Sequence, residues 1–116
     1  MKFENDRTPF TSLYPKGSVV KMPIGHMEGN YTAPPETLAR LSLEGGVVFR
    51  YCDAEGRVLH SANPNGSTDG IAGICNRGGN VVGLMPHPDR CSESLLGNDA
   101  GIKMFESAVA ALSAAR

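Results

Sequence analysis

The sequence contains no tryptophan, and aromatic residues make up only 6% of it. Any core must therefore form around few rings, and each phenylalanine and tyrosine is a candidate anchor. An excess of charge of one sign is lacking too: 11 basic residues face 12 acidic ones, for a net charge of -1. The basic residues are scattered singly, so nothing offers the electrostatic footprint of a nucleic-acid or anionic-membrane partner. No apolar run approaches the ~20 residues that a bilayer-crossing helix needs. The polar start, Met1-Lys2-Phe3-Glu4-Asn5-Asp6-Arg7, lacks the apolar core of a signal peptide. The expectation is a cytoplasmic chain with no membrane and no nucleic-acid partner. Cysteine is scarce, at Cys52, Cys75 and Cys91, with no Cys-x-x-Cys spacing. That count argues against a disulfide framework or a structural zinc site and leaves free thiols in a reducing compartment. Repeats and low-complexity tracts are absent.

What is present is a globular composition, 41% hydrophobic over 116 residues, enough for one domain with a modest core. Thr8 to Tyr14 predicts one helical turn, capped by Thr8 with Pro9 at the first helical position; Phe3 and Phe10 need something to pack against. Ser18 to Ile24 is β-branched and apolar and predicts a strand, weakened by Pro23. Residues 26 to 31 form a polar loop. Pro34 to Leu41 predicts a short helix with Leu38, Leu41 and Leu43 on one face, stopped by Gly45-Gly46. Val47 to Cys52 is the clearest strand, Asp53 to Gly56 a turn, and Arg57 to His60 a return strand. Arg50, inside that strand, needs a carboxylate or carbonyl partner.

Asn63-Pro64-Asn65-Gly66-Ser67 is dense in turn formers and predicts a loop. Ile71 to Cys75 and Val81 to Met85 predict two strands joined as a hairpin by Asn76 to Asn80. Both are apolar on both faces, which predicts burial on both sides. A final helix starts at Asn98 or Asp99, with Ile102, Phe105, Val109 and Leu112 at helical spacing.

The sharpest feature is Met85-Pro86-His87-Pro88-Asp89. Here a strand read as interior delivers a histidine to its end, in a turn stiffened by two prolines, with a carboxylate two residues on. Ligands of open α/β sheets bind at strand ends, and a general base needs such a rigid mount. A nearby carboxylate can accept the proton on one ring nitrogen and leave the other free to take one. Taken alone, a His-x-Asp is as well explained by an ordinary loop. Cys75 fails as a nucleophile, because a nucleophile elbow needs a helix immediately after it and a hairpin follows here. The glycine-rich stretches fit neither phosphate-binding pattern, and His26, His60, His87 and the cysteines are not spaced as a metal set.

In order along the chain, Thr8-Pro9-Phe10-Thr11, Pro23-Ile24-Gly25-His26-Met27-Glu28-Gly29, Phe49-Arg50-Tyr51-Cys52, Asn63 to Ser67 and Ile71 to Asn76 are followed by Gly79 to Arg90, Leu95-Leu96-Gly97 and Lys103 to Ser107. This succession resembles the closing half of the glutaminase subunits of phosphoribosylformylglycinamidine synthases, within the class I, triad-type glutamine amidotransferases. The resemblance implies an α/β fold: the C-terminal part of a flavodoxin-like, three-layer domain, strand-rich with a C-terminal helix. It implies residues 1–116 as a partial domain without the half that carries the nucleophile elbow.

It further implies glutamine as substrate, with ammonia passed to a synthetase subunit in purine biosynthesis. A small accessory subunit joins the complex; ATP and magnesium belong to the synthetase, and no cofactor to this chain. By position, His87 is the catalytic histidine and Asp89 the orienting acid, where the family usually has glutamate, one methylene longer. His26 and Glu28 correspond to a His-x-Glu-Gly stretch that is either close to the substrate or partner, or an ordinary surface loop. With no nucleophile placed, the isolated chain is expected to be inactive, and the exposed half-sheet invites homo-oligomerisation. The alternative is a non-catalytic binding or assembly module derived from the same fold.

Overall fold

The computed structural model describes residues 1–114. Four strands form one antiparallel sheet in sequence order: β1 (Lys2–Phe3), β2 (Val47–Arg50), β3 (Ile71–Cys75) and β4 (Val82–Leu84). Two helices accompany it, α1 (Pro35–Glu44) and α2 (Ile102–Ala114). This is the expected α/β class, strand-rich in the middle with a helix at the C-terminal end.

The core gathers the few rings of the chain. Phe3 and Phe49 are fully buried and Tyr14 nearly so. Phe3 stacks on Tyr14 with centroids 4.1 Å apart and meets Phe49 edge-on at 4.9 Å. Val48, Tyr51, Ala72 and Met104 complete the cluster. Burial of each large side chain contributes about 1.5–3 kcal/mol, so the three stacked rings dominate a core with no tryptophan. Gly73 sits opposite Phe49 in the β2–β3 register, and a Cβ there would collide with the Phe49 ring. The residue 8–14 turn forms as expected, without becoming a helix: Thr8 Oγ1 accepts from the Phe10 amide and bonds the Thr11 hydroxyl at 2.8 Å.

The hairpin of β3 and β4 is the one predicted, with Asn76 Oδ1 receiving the Val81 amide across the turn. The α1 helix has Pro35 at its first position and Gly45 in the left-handed region at its end. Arg50 finds both kinds of partner, the Asp69 carbonyl at 3.2 Å and the Glu4 carboxylate at 3.8 Å.

Five expectations are corrected. Ser18 to Ile24 is extended but forms no strand, making only single bridges from Val19 to Lys2 and from Ile24 to Pro86; β1 is too short to template more, and Pro23 has no amide to donate. Arg57 to His60 is not a strand either. The Asp53 carboxylate captures the Glu55 and Arg57 amides and the Arg57 guanidinium, which curls the segment away and leaves the place beside β2 to β3.

The apolar residues 81 to 85 are not covered on both sides, because β4 is the outer strand of this sheet and Val81 is 60% exposed. His87 therefore follows an edge strand, not an interior one. In α1, Leu43 lies outside the half-buried Leu38–Leu41 face and is 88% exposed. In α2 the helical period is right but the phase is not: Met104 and Ser107 are buried, whereas Phe105, Val109 and Leu112 face outward. Small residues set that phase. Ser107 Oγ accepts the Leu13 amide at 3.1 Å, and Gly101 lies directly against the Pro88 backbone.

Candidate active site

Two segments far apart in sequence build the site. Beyond β4 the Met85 amide still reaches the Ala72 carbonyl at 3.0 Å, after which Pro86 ends the ladder because it has no amide to give. Pro86 instead bridges Ile24, and the His87 amide donates to the Pro23 carbonyl at 2.8 Å. Residues 23–25 thus lie antiparallel beside residues 86–87. Pro88 then starts a 3-10 turn over Pro88–Cys91.

The His87 ring is half-buried. Its Nε2 lies 3.1 Å from the Gly25 carbonyl oxygen, and its Nδ1 lies 3.8 Å from Asp89 Oδ1, with the Asp89 side chain 69% exposed. A carbonyl oxygen only accepts, so this contact requires the ring proton on Nε2. The carboxylate lies beyond hydrogen-bond range, in keeping with its missing methylene.

The floor of the turn is supplied by residues that the sequence patterns did not single out. Cys91 is buried beneath it, with Sγ 3.7 Å from the His87 carbonyl and 3.6 Å from that of Pro88. Burial pushes the Cys91 thiol up from its usual value, and Asp89 adds to the rise against the opposing effect of the Gly101 amide. Gly101 brings the start of α2 against Pro88, and the Gly101 amide donates to the Cys91 carbonyl at 2.8 Å. Arg90 reaches back over Gly25, where a Cβ would lie 2.7 Å from its guanidinium. A glycine before a helix and a lone cysteine after a Pro-His-Pro run were the available signals, and neither is specific.

The second polar pair lies alongside. Gly29 is pinched between Met85 and the His26 ring, and its amide donates to His26 Nδ1 at 2.9 Å. With Nδ1 accepting, Nε2 carries the His26 proton, so the Asn65 amide nitrogen 3.3 Å away is a packing contact and not a donor to the ring. Glu28 is exposed and helps to wall a groove of about 310 Å³ between residues 28–31 and the β3–β4 face. The loop is tied down by the 63–67 turn: Ser67 Oγ accepts the Tyr31 amide and donates to Asn65 Oδ1, while the Asn65 amide reaches the Tyr51 hydroxyl. His60 is exposed, in a short 3-10 turn over His60–Ala62.

The thiols are poorly placed for this histidine. Cys75 pairs with Val82 at the closed end of the hairpin, and the five residues from there to His87 span about 16 Å of strand. Burial pushes its thiol up, outweighing the nearby charge of Arg7, and a turn follows it instead of a helix. Among the described residues, no three His, Cys, Asp or Glu side chains converge as metal ligands would, and no helix is long and apolar enough to cross a membrane.

Comparison with known proteins adds what geometry alone does not. The model of the CobB/CobQ-like glutamine amidotransferase domain matches residues 2–110. The chain is 51% identical over 109 residues to phosphoribosylformylglycinamidine synthase subunit PurQ of Methanocaldococcus jannaschii, covering 94% of this chain and 47% of that protein. It is 56% identical over 107 residues to the same subunit of Methanosarcina mazei, covering 92% and 46%. Among solved structures it resembles a chain of PurLQS from Thermotoga maritima, with a TM-score of 0.74, 39% identity and coverage of 96% of this chain and 44% of that one. The chain thus spans about half the length of the curated relatives it matches. On the family model and on this similarity, the chain belongs to the CobB/CobQ-like glutamine amidotransferases and is a partial PurQ-type glutaminase domain.

Proposed function

We propose that this chain is the proton-carrying part of a glutaminase site, in the component of phosphoribosylformylglycinamidine synthase that supplies ammonia for purine biosynthesis. The supporting observation is the convergence of residues 23–25 on the rigid His87 turn, in a chain of glutamine amidotransferase family. In this reading His87 takes the proton of a cysteine thiol as the thiolate attacks the side-chain amide carbon of glutamine. It then returns the proton to the nitrogen that leaves as ammonia, and water hydrolyses the thioester. Asp89 is the acid of the set. The thiol and the oxyanion donors lie in the remainder of the relatives' length, so the chain alone is inactive. His26 and Glu28, next to Gly25, border the approach of substrate or partner. The partners are a synthetase subunit, which carries ATP and magnesium, and a small accessory subunit. They follow from the likeness to PurLQS, and the soluble complex is cytoplasmic.

The test adds the missing half of a PurQ relative in trans and measures ammonia release from glutamine. Release that vanishes in His87→Ala and survives Cys75→Ser is expected; release without the added half that is lost in Cys75→Ser would return the nucleophile to this chain. A second reading draws on the exposure of Asp89 and its 3.8 Å gap to the ring: the fold serves as a docking module without catalysis. Complementation that restores binding of the two halves but no His87-dependent ammonia would favour it.

A further inference from the structure

We propose that the main-chain carbonyl of Gly25 is the positioning group of His87, holding its Nε2 proton and leaving Nδ1 as the nitrogen that exchanges protons with the thiol. The proposal rests on the reading of His87 as the proton carrier, but the orientation itself does not. Two acceptors face the ring, and they differ in reach and in rigidity. The Gly25 oxygen is 3.1 Å from Nε2, within N–H···O range, whereas Asp89 Oδ1 is 3.8 Å from Nδ1.

The carbonyl is fixed by backbone ties on the same two segments, the His87 amide to the Pro23 oxygen and the Ile24–Pro86 bridge. The Asp89 carboxylate hangs from a side chain 69% exposed, where water competes for it. A neutral imidazole has one N–H, and it goes to the nearer, immobile acceptor. Nδ1 then keeps its lone pair. When the thiol S–H bond breaks, its proton forms the Nδ1–H bond and the electron pair stays on sulfur as thiolate. The ring now has an N–H toward each acceptor, and a small rotation of Asp89 brings its carboxylate onto the new one. Orientation and charge compensation, which one carboxylate performs in a Ser-His-Asp triad, are here divided between a peptide group and a side chain.

The test is ring NMR on the histidine-labelled chain, which needs no glutamine and no thiol. His87 should show a proton bonded to Nε2, with a cross-peak to the Gly25 α-protons and none on Nδ1, and the pattern should be unchanged in Asp89→Asn. Exposed His60 serves as the control. A proton on Nδ1, or an Nε2 proton that disappears in Asp89→Asn, would overturn the proposal. A second measurement uses His87→Gln, whose side-chain amide reaches where Nε2 sits, against the shorter His87→Asn. Exchange of the amide at position 87 should stay slow in the first and rise about tenfold in the second; equal rates in both would count against the Gly25 contact. An intact Nε2 proton in a chain that never supports ammonia release would sink the functional reading and leave the orientation standing.

Discussion

The packing of α2 against the His87 turn makes Gly101→Ala the most informative single perturbation. A Cβ on residue 101 would lie 2.7 Å from Pro88 Cα and 2.8 Å from its carbonyl carbon, and would clash with its oxygen as well. All three obstacles are backbone atoms, so no side chain can rotate away. Moving the first contact from 2.7 Å to an ordinary 3.4 Å requires about 0.7 Å of relative displacement. Met104 and Ser107 hold α2 in the core, and Cys91 holds the turn from below, so either choice disturbs buried contacts. Overpacking of this kind costs about 1–3 kcal/mol. For a domain near 100 residues each kcal/mol lowers Tm by roughly 4–8 °C. The displacement falls on the residue next to His87, and misplacing a catalytic group by ~1 Å costs on the order of 100-fold in rate. Thermal unfolding followed by circular dichroism should show the drop in Tm. The His87 ring signals should shift, and ammonia release with the added half should fall by more than tenfold. An alanine variant with unchanged Tm and unchanged His87 signals would refute the claim that α2 braces this turn.

Three further outcomes are expected. Tyr14→Phe removes the hydroxyl that donates to the Ala100 carbonyl at 2.6 Å and should cost about 0.5–1.5 kcal/mol in urea unfolding near neutral pH. Burial pushes the Tyr14 hydroxyl up to about 12, with Cys91 and Glu106 adding to the rise against a backbone hydrogen bond at Met104. Between pH 10 and 12 the folded chain therefore keeps a proton that the unfolded chain has lost. Tyr14's stabilisation should be complete below pH 10 and fade toward 12; a gap from Tyr14→Phe that is constant from pH 9 to 12 would contradict this. Asn65→Ala cuts the ties among Ser67, Tyr51 and the 26–31 loop, so faster hydrogen exchange is expected at the Gly29 and Tyr31 amides, with a loss of about 1–3 kcal/mol. The chain alone should self-associate through the open edge of β4 and the outward Phe105, Val109 and Leu112; sedimentation should show Val109→Lys shifting it toward monomer, and a wild-type chain that stays monomeric would oppose the idea.

Local chemistry was legible where the sequence fixes its own partner. The Asn76–Asn80 turn announces the β3–β4 hairpin because its side chains close it, and Gly45 announces the end of α1 because a left-handed residue is needed there. Ser18 to Ile24 has a strand's composition, but a strand needs a neighbour, and the two residues of β1 are a poor one. His87 stood out because two prolines make a rigid mount. The Gly25 carbonyl did not, because every residue except its neighbours offers the same oxygen; only the pairing of chain 62 positions apart selects it. The α2 error has another cause. Its largest side chains do mark a face meant for burial, but the surface that this helix meets within the chain is reached by Gly101, Met104 and Ser107. A residue pattern records every surface a segment evolved to cover. When the chain spans under half of its relatives' length, some of those surfaces lie elsewhere. The apolar outer face of α2 and the apolar but uncovered residues of β4 are what contact with that remainder requires, and the same remainder would have to bring the thiol to the His87 end of β4.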